Sequence, residues 1–171
     1  MVYPIVKYSD PVLERPAEKV AEFGTPELLK LIEDMFESMY AAKGMGLAAP
    51  QIGISRRIAV IDPSAGQDPA QRLVLINPEI VSNQGAQVGE EGCLSIPGFR
   101  EQVRRGKRVT VRAQNAQGEY FERTGEDLLA RAFLHETDHL NGRLYIQRIS
   151  PLKRDLIRRK VRKLIKAGEW A

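Results

Sequence analysis

The sequence is poor in the residues that build disulfides and metal sites: one cysteine and two histidines occur among 171 residues. A single cysteine excludes an internal disulfide framework, and with it the small secreted domains that depend on one. No apolar run approaches the ~20 residues of a membrane span, and the first ten residues lack the layout of a signal peptide. We therefore expect a cytoplasmic location, with neither a membrane nor free DNA as a partner.

The overall composition is that of an ordinary globular protein. Hydrophobic residues make up 43% of the chain and charged residues 28%, both close to typical values. A chain of this length fits one domain and can bury about two-thirds of its unfolded surface, so it needs no covalent staples. We predict a single domain over residues 1–171.

Positive charge is concentrated near the C-terminus. Residues 151–166 contain eight basic residues and one acidic residue and so carry +7, whereas the whole chain carries +4. The same segment has apolar residues at helical spacing, namely Leu152, Leu156, Val161, Leu164 and Ile165. It predicts a basic helix over about 150–166. That helix is either a surface helix docked by its apolar side or a binding element for polyanions.

A first helix is predicted after Thr25-Pro26-Glu27, which offers a capping hydroxyl, proline at the first helical position and an acid in the first turn. A stripe at helical spacing follows, formed by Leu28, Leu29, Ile32, Met35, Phe36, Met39 and Tyr40. Gly44 is a natural stop. The stripe predicts one buried face.

The middle of the chain has the pattern of short strands separated by Pro and Gly. The strand segments are Arg57–Ile61, Arg72–Ile76, Val103, Lys107–Ala113 and Glu119–Arg123. A second helix is predicted from about Glu126 to Leu140. Because the helices and strands do not alternate as βαβ units, the pattern favours an α+β fold. We expect mostly antiparallel strands packed around the second helix, with one helix before them and one after.

One short motif contains both histidines of the chain: His135-Glu136-Thr137-Asp138-His139, which fits H-E-x-x-H. Residues four apart on an α-helix lie about 40° apart around its axis, so both imidazoles can face one metal ion. Glu136 lies beside them, where it can reach a water at the metal without being a ligand, as a general base must. The motif predicts a metal site on the second helix.

A catalytic metal usually has three protein ligands and an open position for water. The only cysteine, Cys93, lies in Glu90-Glu91-Gly92-Cys93-Leu94-Ser95. A lone cysteine is most often a small buried apolar residue, but the neighbouring glycine and Pro97-Gly98 indicate a tight backbone with an accessible thiolate. Cys93, His135 and His139 then form a chemically coherent ligand set.

A glycine-rich segment, Gly44–Gly53, follows the first helix. It lacks the Lys-Ser/Thr of a phosphate-binding loop. It is either a helix C-cap and a turn, or a wall of small residues that lets a substrate backbone come close, with Gln51 offering amide donors to an oxyanion.

Together these segments resemble the peptide deformylase family, which is marked by the blocks G-x-G-L-A-A-P-Q, E-G-C-L-S and H-E-x-D-H. The chain carries them as Gly44–Gln51, Glu91–Ser95 and His135–His139, in the same order and with similar separations. No defining position departs from the pattern, and the resemblance spans nearly the whole chain. Arg131 stands where we expect an apolar pocket residue, so a side-chain preference is not carried over.

The resemblance implies a metal-dependent hydrolase that removes the N-formyl group from the formylmethionine of new polypeptides and releases formate. It implies Fe²⁺ as the physiological metal, with Zn²⁺, Ni²⁺ or Co²⁺ able to occupy the site; ligand chemistry alone suits zinc as well. It also implies that a basic C-terminal helix docks on the ribosome.

Under this hypothesis Glu136 moves the proton. The Gln51 side-chain amide and the Leu94 backbone N–H stabilise the developing oxyanion. The peptide lies extended against Met45, Gly46 and Gly92, through main-chain hydrogen bonds that ignore its sequence.

Two acidic residues carry further hypotheses. Asp138 either orients a metal ligand or is a solvated helix charge. Glu91 is expected to pair with Arg100 or Arg105 and so to brace the segment of Cys93.

Two rival functions share parts of the pattern. A zinc endopeptidase also has H-E-x-x-H, but it usually takes a third ligand from a downstream Glu or His, and here only Glu169 near the terminus could serve. A structural metal site in an RNA- or ribosome-binding module would normally have four ligands, mostly cysteine.

Overall fold

The computed structural model describes residues 1–170; Ala171, the end of the predicted domain, lies outside them. The helices are α1 (Pro26–Ala41), α2 (Leu128–Leu140) and α3 (Pro151–Lys166). The strands are β1 (Gly46–Ala48), β2 (Ile58–Ile61), β3 (Leu73–Gln84), β4 (Gln87–Cys93), β5 (Ile96–Arg105), β6 (Arg108–Gln114) and β7 (Tyr120–Glu126). Within the described part of the chain, no helix has the length and apolar character to cross a bilayer.

All strand pairs are antiparallel. The larger sheet has five strands in the order β1-β2-β3-β6-β7, and β4 and β5 form a separate hairpin. Helix α2 packs on the larger sheet, where Ala130, Phe133 and Leu140 share an apolar core with Leu75 and Val111. The predicted α+β class with antiparallel strands is confirmed.

Helix α1 begins as its sequence predicts. The Thr25 hydroxyl accepts a hydrogen bond of 3.1 Å from the Leu28 N–H, a cap that is typically worth about 1 kcal/mol. Met35 and Met39 are fully buried one turn apart, in a second apolar core beneath the start of the sheet. The prediction that Leu29 belongs to the buried stripe was wrong: its residue is 42% exposed, because it lies at the edge of that face.

The β4–β5 hairpin was largely missed by the strand prediction. Strand β4 holds two glycines and two adjacent acids, residues with low strand propensity, and apolar alternation is weak. Backbone pairing with β5 nevertheless extends from Gln87 opposite Arg105 to Gly92 opposite Arg100. The register then shifts, so Cys93 pairs with Ile96 at the tip of the hairpin. This irregularity places Cys93 next to helix α2.

Helix α3 has the predicted bounds but a different buried face. Ile157 and Val161, four residues apart, are its buried apolar residues and pack in a third core with Tyr145 and Ile146. The predicted apolar side was wrong in part, because Leu152, Leu156 and Ile165 are exposed at 71%, 46% and 45%. The docking stripe is therefore narrow, and most of the cations face solvent.

Candidate active site

Two elements bring the three predicted metal ligands together. The tip of the β4–β5 hairpin supplies Cys93, and α2 supplies His135 and His139. Their ligand atoms all lie within 4.8 Å of one another, and Cys93 Sγ is 3.3 Å from His139 Nε2. The two imidazole centroids are 4.9 Å apart, as expected for residues one turn apart on a helix. Cys93 thus meets two histidines that follow it by 42 and 46 positions in the sequence.

The state of His139 suits a metal ligand. Its residue is 1% exposed, and its Nδ1 has no hydrogen-bond partner within residues 1–170. Burial, together with the neighbouring His135 and Arg105, lowers its pKa well below the usual range. The imidazole is therefore neutral near pH 7, which is the form that binds metals.

The electrostatic surroundings also favour a cation. Burial opposes a charge on His135, but hydrogen bonds from its ring to Cys93 and Glu91 and the charge of Glu136 raise its pKa well above the usual range. Groups that favour a proton on this ring also favour a metal ion beside it. A thiolate and two imidazoles with solvent access on one side form a three-ligand set of the catalytic kind. The residues present therefore fit a divalent metal.

Glu136 lies beside the ligands and not among them. Its residue is 4% exposed, and its Oε1 has no hydrogen-bond partner within residues 1–170. Burial raises its pKa to about 7, close to the value at which a carboxyl group transfers protons best near neutral pH. The other oxygen faces Gly46, where an added Cβ would lie 2.5 Å from Oε2. Glycine at this position leaves the room that the carboxylate occupies.

The amide of Gln51 is oriented by its neighbours. Its Oε1 accepts a hydrogen bond of 3.0 Å from the Ala48 N–H. Its Nε2 is therefore turned the other way, 3.2 Å from Ser95 Oγ and 3.5 Å from Cys93 Sγ. Gln51 is 2% exposed, so this amide presents a fixed N–H donor beside the ligand set.

A cavity of about 540 Å³ opens over these groups. Eight of the nine residues predicted for the site line it: Met45, Gly46, Gln51, Gly92, Cys93, Leu94, His135 and Glu136. The ninth, His139, is buried next to Cys93. Strand β1 and the β4–β5 hairpin form its walls, so a bound chain would have backbone on both sides.

Glu91 makes one contact that the sequence did not predict, a hydrogen bond with the ring of His135. Its Oε1 lies 2.7 Å from His135 Nδ1 and 2.9 Å from Arg105 Nη2. Its Oε2 lies 2.9 Å from Arg105 Nε and 2.5 Å from Arg131 Nη1. Burial alone would raise its pKa, but the hydrogen bonds from Arg105 and His135 outweigh burial and hold the pKa well below the usual range. Glu91 is therefore a buried carboxylate that is charged near neutral pH and fixes the His135 ring.

Within residues 1–170 Asp138 makes no hydrogen bond to a predicted ligand, so it does not orient one through a hydrogen bond of its own; it is linked to His135 only through Arg105 and Glu91. Its carboxylate instead binds Arg105 Nη1 at 2.7 Å and Arg148 through Nε at 3.1 Å and Nη2 at 2.7 Å. It is also not a solvated charge, since its residue is 7% exposed. Of the two arginines expected to pair with Glu91, Arg105 does so. Arg100 instead pairs with Glu90 at 2.5 Å.

Arg131 lines the cavity, as its place on α2 suggested. Its guanidinium binds the Glu91 carboxylate. Its Nη1 also donates to the Val103 carbonyl at 3.1 Å. A Cβ added at Gly89 would lie 3.0 Å from Arg131 Nη2. Glycine at position 89 therefore makes room for an arginine where an apolar residue was expected.

Comparison with known proteins agrees with this geometry. A family model described as polypeptide deformylase matches residues 2–155. The chain belongs to the polypeptide deformylase family. A peptide deformylase of Acidobacterium capsulatum is 62% identical over 170 residues, with 99% of each chain covered. The crystal structure of a peptide deformylase from Legionella pneumophila has a TM-score of 0.90 at 45% identity, with 98% of each chain covered.

More distant members of the polypeptide deformylase family keep the same fold. A peptide deformylase structure from Plasmodium falciparum has a TM-score of 0.89 at 36% identity, with 96% of each chain covered. The resemblance inferred from the sequence is thus confirmed, and so is the prediction that the chain is a formyl-removing hydrolase. The rival hypothesis, a structural metal site in a binding module that is not an enzyme, does not agree with membership of this family.

Proposed function

We propose that this deformylase holds one divalent metal ion through Cys93, His135 and His139 and uses Glu136 to transfer the proton during removal of the N-formyl group. The observation that carries this proposal is the convergence of three ligand atoms within 4.8 Å beside a buried carboxylate at the wall of a cavity. The donor set, and not any one residue, supports a catalytic metal with an open position.

Fe²⁺ is the proposed metal, on the strength of the sequence resemblance. When bound, such an ion supplies Lewis acidity, which makes a water molecule acidic enough to act as a nucleophile near neutral pH. The ligand set itself also suits Zn²⁺, Ni²⁺ or Co²⁺. Metal analysis of anaerobically purified protein, paired with formate release, tests the choice of ion.

Glu136 is proposed to act first as a base and then as an acid. It accepts a proton from the attacking water and returns it to the leaving amine, whose departure completes the hydrolysis to formate. Its free Oε1 and its exclusion from solvent suit both steps. Glu136 faces Gly46, at the start of strand β1. The proton is therefore transferred beside the strand against which the substrate backbone is proposed to lie.

Gln51 and Leu94 are proposed to stabilise the negative charge that develops on the formyl oxygen. The Gln51 Nε2 donor is held in place by the contact of its Oε1 with Ala48. Leu94 directly follows Cys93 in the turn of the hairpin and lines the same cavity, so its backbone N–H is the second proposed donor. Removing one such donor typically costs about 10²–10³ in rate.

The substrate peptide is proposed to lie extended between Met45, Gly46 and Gly92. Glycine at two of these positions allows close backbone approach, and main-chain hydrogen bonds serve any sequence equally. A Cβ at Gly92 would lie 2.8 Å from Arg100 Nη1, so a side chain there would displace Arg100 at the rim. An enzyme that acts on most new chains needs such indifference to sequence.

The decisive experiment uses Glu136→Ala. We expect the variant to keep its metal, measured by elemental analysis, and to lose formate release from formyl-Met-Ala. A matched control is Glu90→Ala, an exposed glutamate at the rim of the cavity, which should retain activity. Normal turnover in Glu136→Ala would refute the assigned role. Cleavage of an internal peptide bond by the wild type would instead favour the endopeptidase.

We further propose that α3 docks on ribosomal RNA and that the protein works in the cytoplasm, where its substrates emerge. The support is the exposure of Arg159, Lys160 and Lys163 on a helix that buries only a narrow stripe. Replacing these three cations with Gln leaves Ile157 and Val161 in place. Ribosome pelleting should fall in that variant and in high salt; equal, salt-insensitive pelleting would exclude the idea.

A further inference from the structure

The chain turns sharply after helix α3. Gly168, just past the end of the helix, has a φ of 71°, a left-handed conformation that glycine adopts without a steric penalty. Its N–H donates to the Ile165 carbonyl at 3.1 Å, and the Glu169 N–H donates to the Leu164 carbonyl at 2.8 Å. This pair of hydrogen bonds is a Schellman motif, which ends the helix. The next residue, Trp170, lies against the body of the protein.

Two contacts hold the Trp170 side chain. Its indole Nε1 donates a hydrogen bond of 2.8 Å to the Tyr8 carbonyl. Its ring lies against the ring of Phe99, with the centroids 6.3 Å apart and the planes tilted by 59°, an arrangement that aromatic pairs favour. Both rings border the apolar core that contains Tyr145 and Ile157. The indole is therefore fixed through its polar atom and through its apolar face.

Phe99 belongs to the wall of the active-site cavity. It lines that cavity together with Pro97 and Gly98, which precede it in strand β5. Pro97 and Gly98 are exposed, and a Cβ added at Gly98 would have no atom of residues 1–170 within 4 Å. This part of the wall therefore depends on Phe99 for its position. The Phe99 carbonyl accepts a hydrogen bond of 3.3 Å from the Tyr145 hydroxyl, and the Phe99 ring is held by Trp170.

This wall adjoins the proposed path of the substrate. Arg100, the residue after Phe99, pairs with Gly92 across the hairpin. Gly92 is one of the three positions against which the peptide is proposed to lie. A shift of Phe99 would therefore change the space that is open to the peptide. The two proposed histidine ligands would stay in place, because they belong to helix α2.

We propose that Trp170 is a positioning residue for the substrate peptide, because it fixes Phe99 and so keeps the β5 wall of the cavity in the shape that binds the peptide. This proposal rests on the proposed place of the peptide in the cavity. Within residues 1–170 Trp170 is not part of the cavity lining, so it acts through Phe99. Glu136 and Gln51 lie on other elements. Loss of the indole is therefore expected to weaken peptide binding and to leave the chemical step unchanged.

The first test compares Trp170→Ala with Trp170→Phe in the metal-loaded, full-length enzyme. An aromatic pair typically changes an equilibrium constant by about 2- to 10-fold. Trp170→Ala should raise the KM for formyl-Met-Ala-Ser by about that factor, while kcat and metal content stay at wild-type values. Trp170→Phe keeps a ring beside Phe99 and should remain closer to wild type. Tyr120→Ala, which removes an exposed aromatic ring on β7, is the matched control.

A double-mutant cycle tests whether the effect passes through Phe99. In a Phe99→Ala background the indole has no ring to fix, so the further change Trp170→Ala should leave KM nearly unchanged. A general loosening of the fold would raise KM by the same factor in both backgrounds. Trp170→Leu keeps an apolar side chain over the core but lacks the ring, so it carries the same expectation if the alanine variant does not fold.

Three outcomes would overturn the proposal. The first is an unchanged KM in Trp170→Ala, and the second is an equal rise in KM with and without the Phe99 ring. The third is loss of the metal from Trp170→Ala, because the indole would then support the ligand Cys93 and not the wall. The catalytic assignment depends instead on turnover by Glu136→Ala. Failure of one proposal is thereby distinguishable from failure of the other.

Discussion

The Glu91 carboxylate lies 2.7 Å from Nδ1 of His135, which links the buried ion pairs of Glu91 with Arg105 and Arg131 to a proposed metal ligand. With Nδ1 engaged, Nε2 is the nitrogen left for the metal. A carboxylate behind a histidine fixes the ring orientation and makes the imidazole a stronger ligand. Arg105 and Arg131 in turn hold Glu91 from the other side. The proposed ligand His135 is thus positioned by a buried carboxylate that two arginines hold in place.

Glu91→Gln should weaken metal binding by about 10–100-fold, because the amide cannot support His135 as an anion does. It should also destabilise the fold, because Arg105 and Arg131 lose a buried partner, a loss that typically costs about 3–5 kcal/mol. Competition with a chelator measures the first effect and denaturant unfolding the second. Glu90→Gln, an exposed neighbour on the same strand, is the control. Unchanged metal affinity in Glu91→Gln would contradict the role given to Glu91.

Gly46→Ala should abolish most activity without removing the metal. The added methyl group would lie 2.5 Å from Oε2 of Glu136, so the carboxylate must move. A displacement of about 1 Å in a catalytic group can cost about 10²-fold in rate. We expect kcat for formate release to fall by about that factor while metal content stays at the wild-type level. If kcat is retained, the Glu136 position is less critical than we propose.

Gln51→Glu should separate the two roles of that side chain, which are to accept a hydrogen bond from Ala48 and to donate one to the oxyanion. The variant keeps an oxygen to accept the Ala48 N–H but replaces the Nε2 donor with a second oxygen. Because the developing oxyanion loses a donor, kcat should fall by about 10²–10³, with a smaller change in KM. Gln102→Glu, exposed on β5, controls for the added charge. An equal fall in kcat in Gln51→Glu and Gln102→Glu would mean that the added negative charge, and not the missing donor, causes the loss of activity.

The sequence was sufficient to name the residues that converge in the candidate site, but not the residues that hold them in place. His135 and His139 were predictable because four-residue spacing on a helix fixes their relation locally. Cys93 was found from its chemistry and the family resemblance, since no local rule links it to α2. Glu91 was not assigned to His135, because that contact depends on the register of β4 against β5 and on the docking of the hairpin.

The fold shows the same division between local and tertiary information. The cap at Thr25 and the apolar spacing of α1 depend only on residues near in sequence, and the start of α1 was therefore predicted correctly. Strand β4 was missed because tertiary pairing overrides the low strand propensity of its glycines and acids. On α3, charge and spacing predicted the helix, but only packing against Tyr145 decided which apolar residues are buried.

Asp62 provides a prediction on pH and stability at a distance from the metal site. It is fully buried, and its carboxylate accepts hydrogen bonds from Ser64, from the Gly66 N–H at 3.0 Å and from the Tyr40 hydroxyl. Burial alone would raise its pKa, but these hydrogen bonds outweigh burial and hold the pKa below the usual value of 3.8. The charged form is thus favoured in the folded state more than in the unfolded state.

A group with a lowered pKa in the folded state stabilises the protein above its unfolded pKa, and this contribution is lost as the pH falls through the folded value. We therefore expect Asp62→Asn to lower the Tm near neutral pH. The Tm difference between wild type and variant should shrink as the pH falls below about 4. Thermal unfolding followed by circular dichroism between pH 3 and pH 7 measures this. Asp155→Asn, exposed on α3, is the control. A Tm difference that does not change over this range would mean that Asp62 stabilises the loop by shape and not by charge.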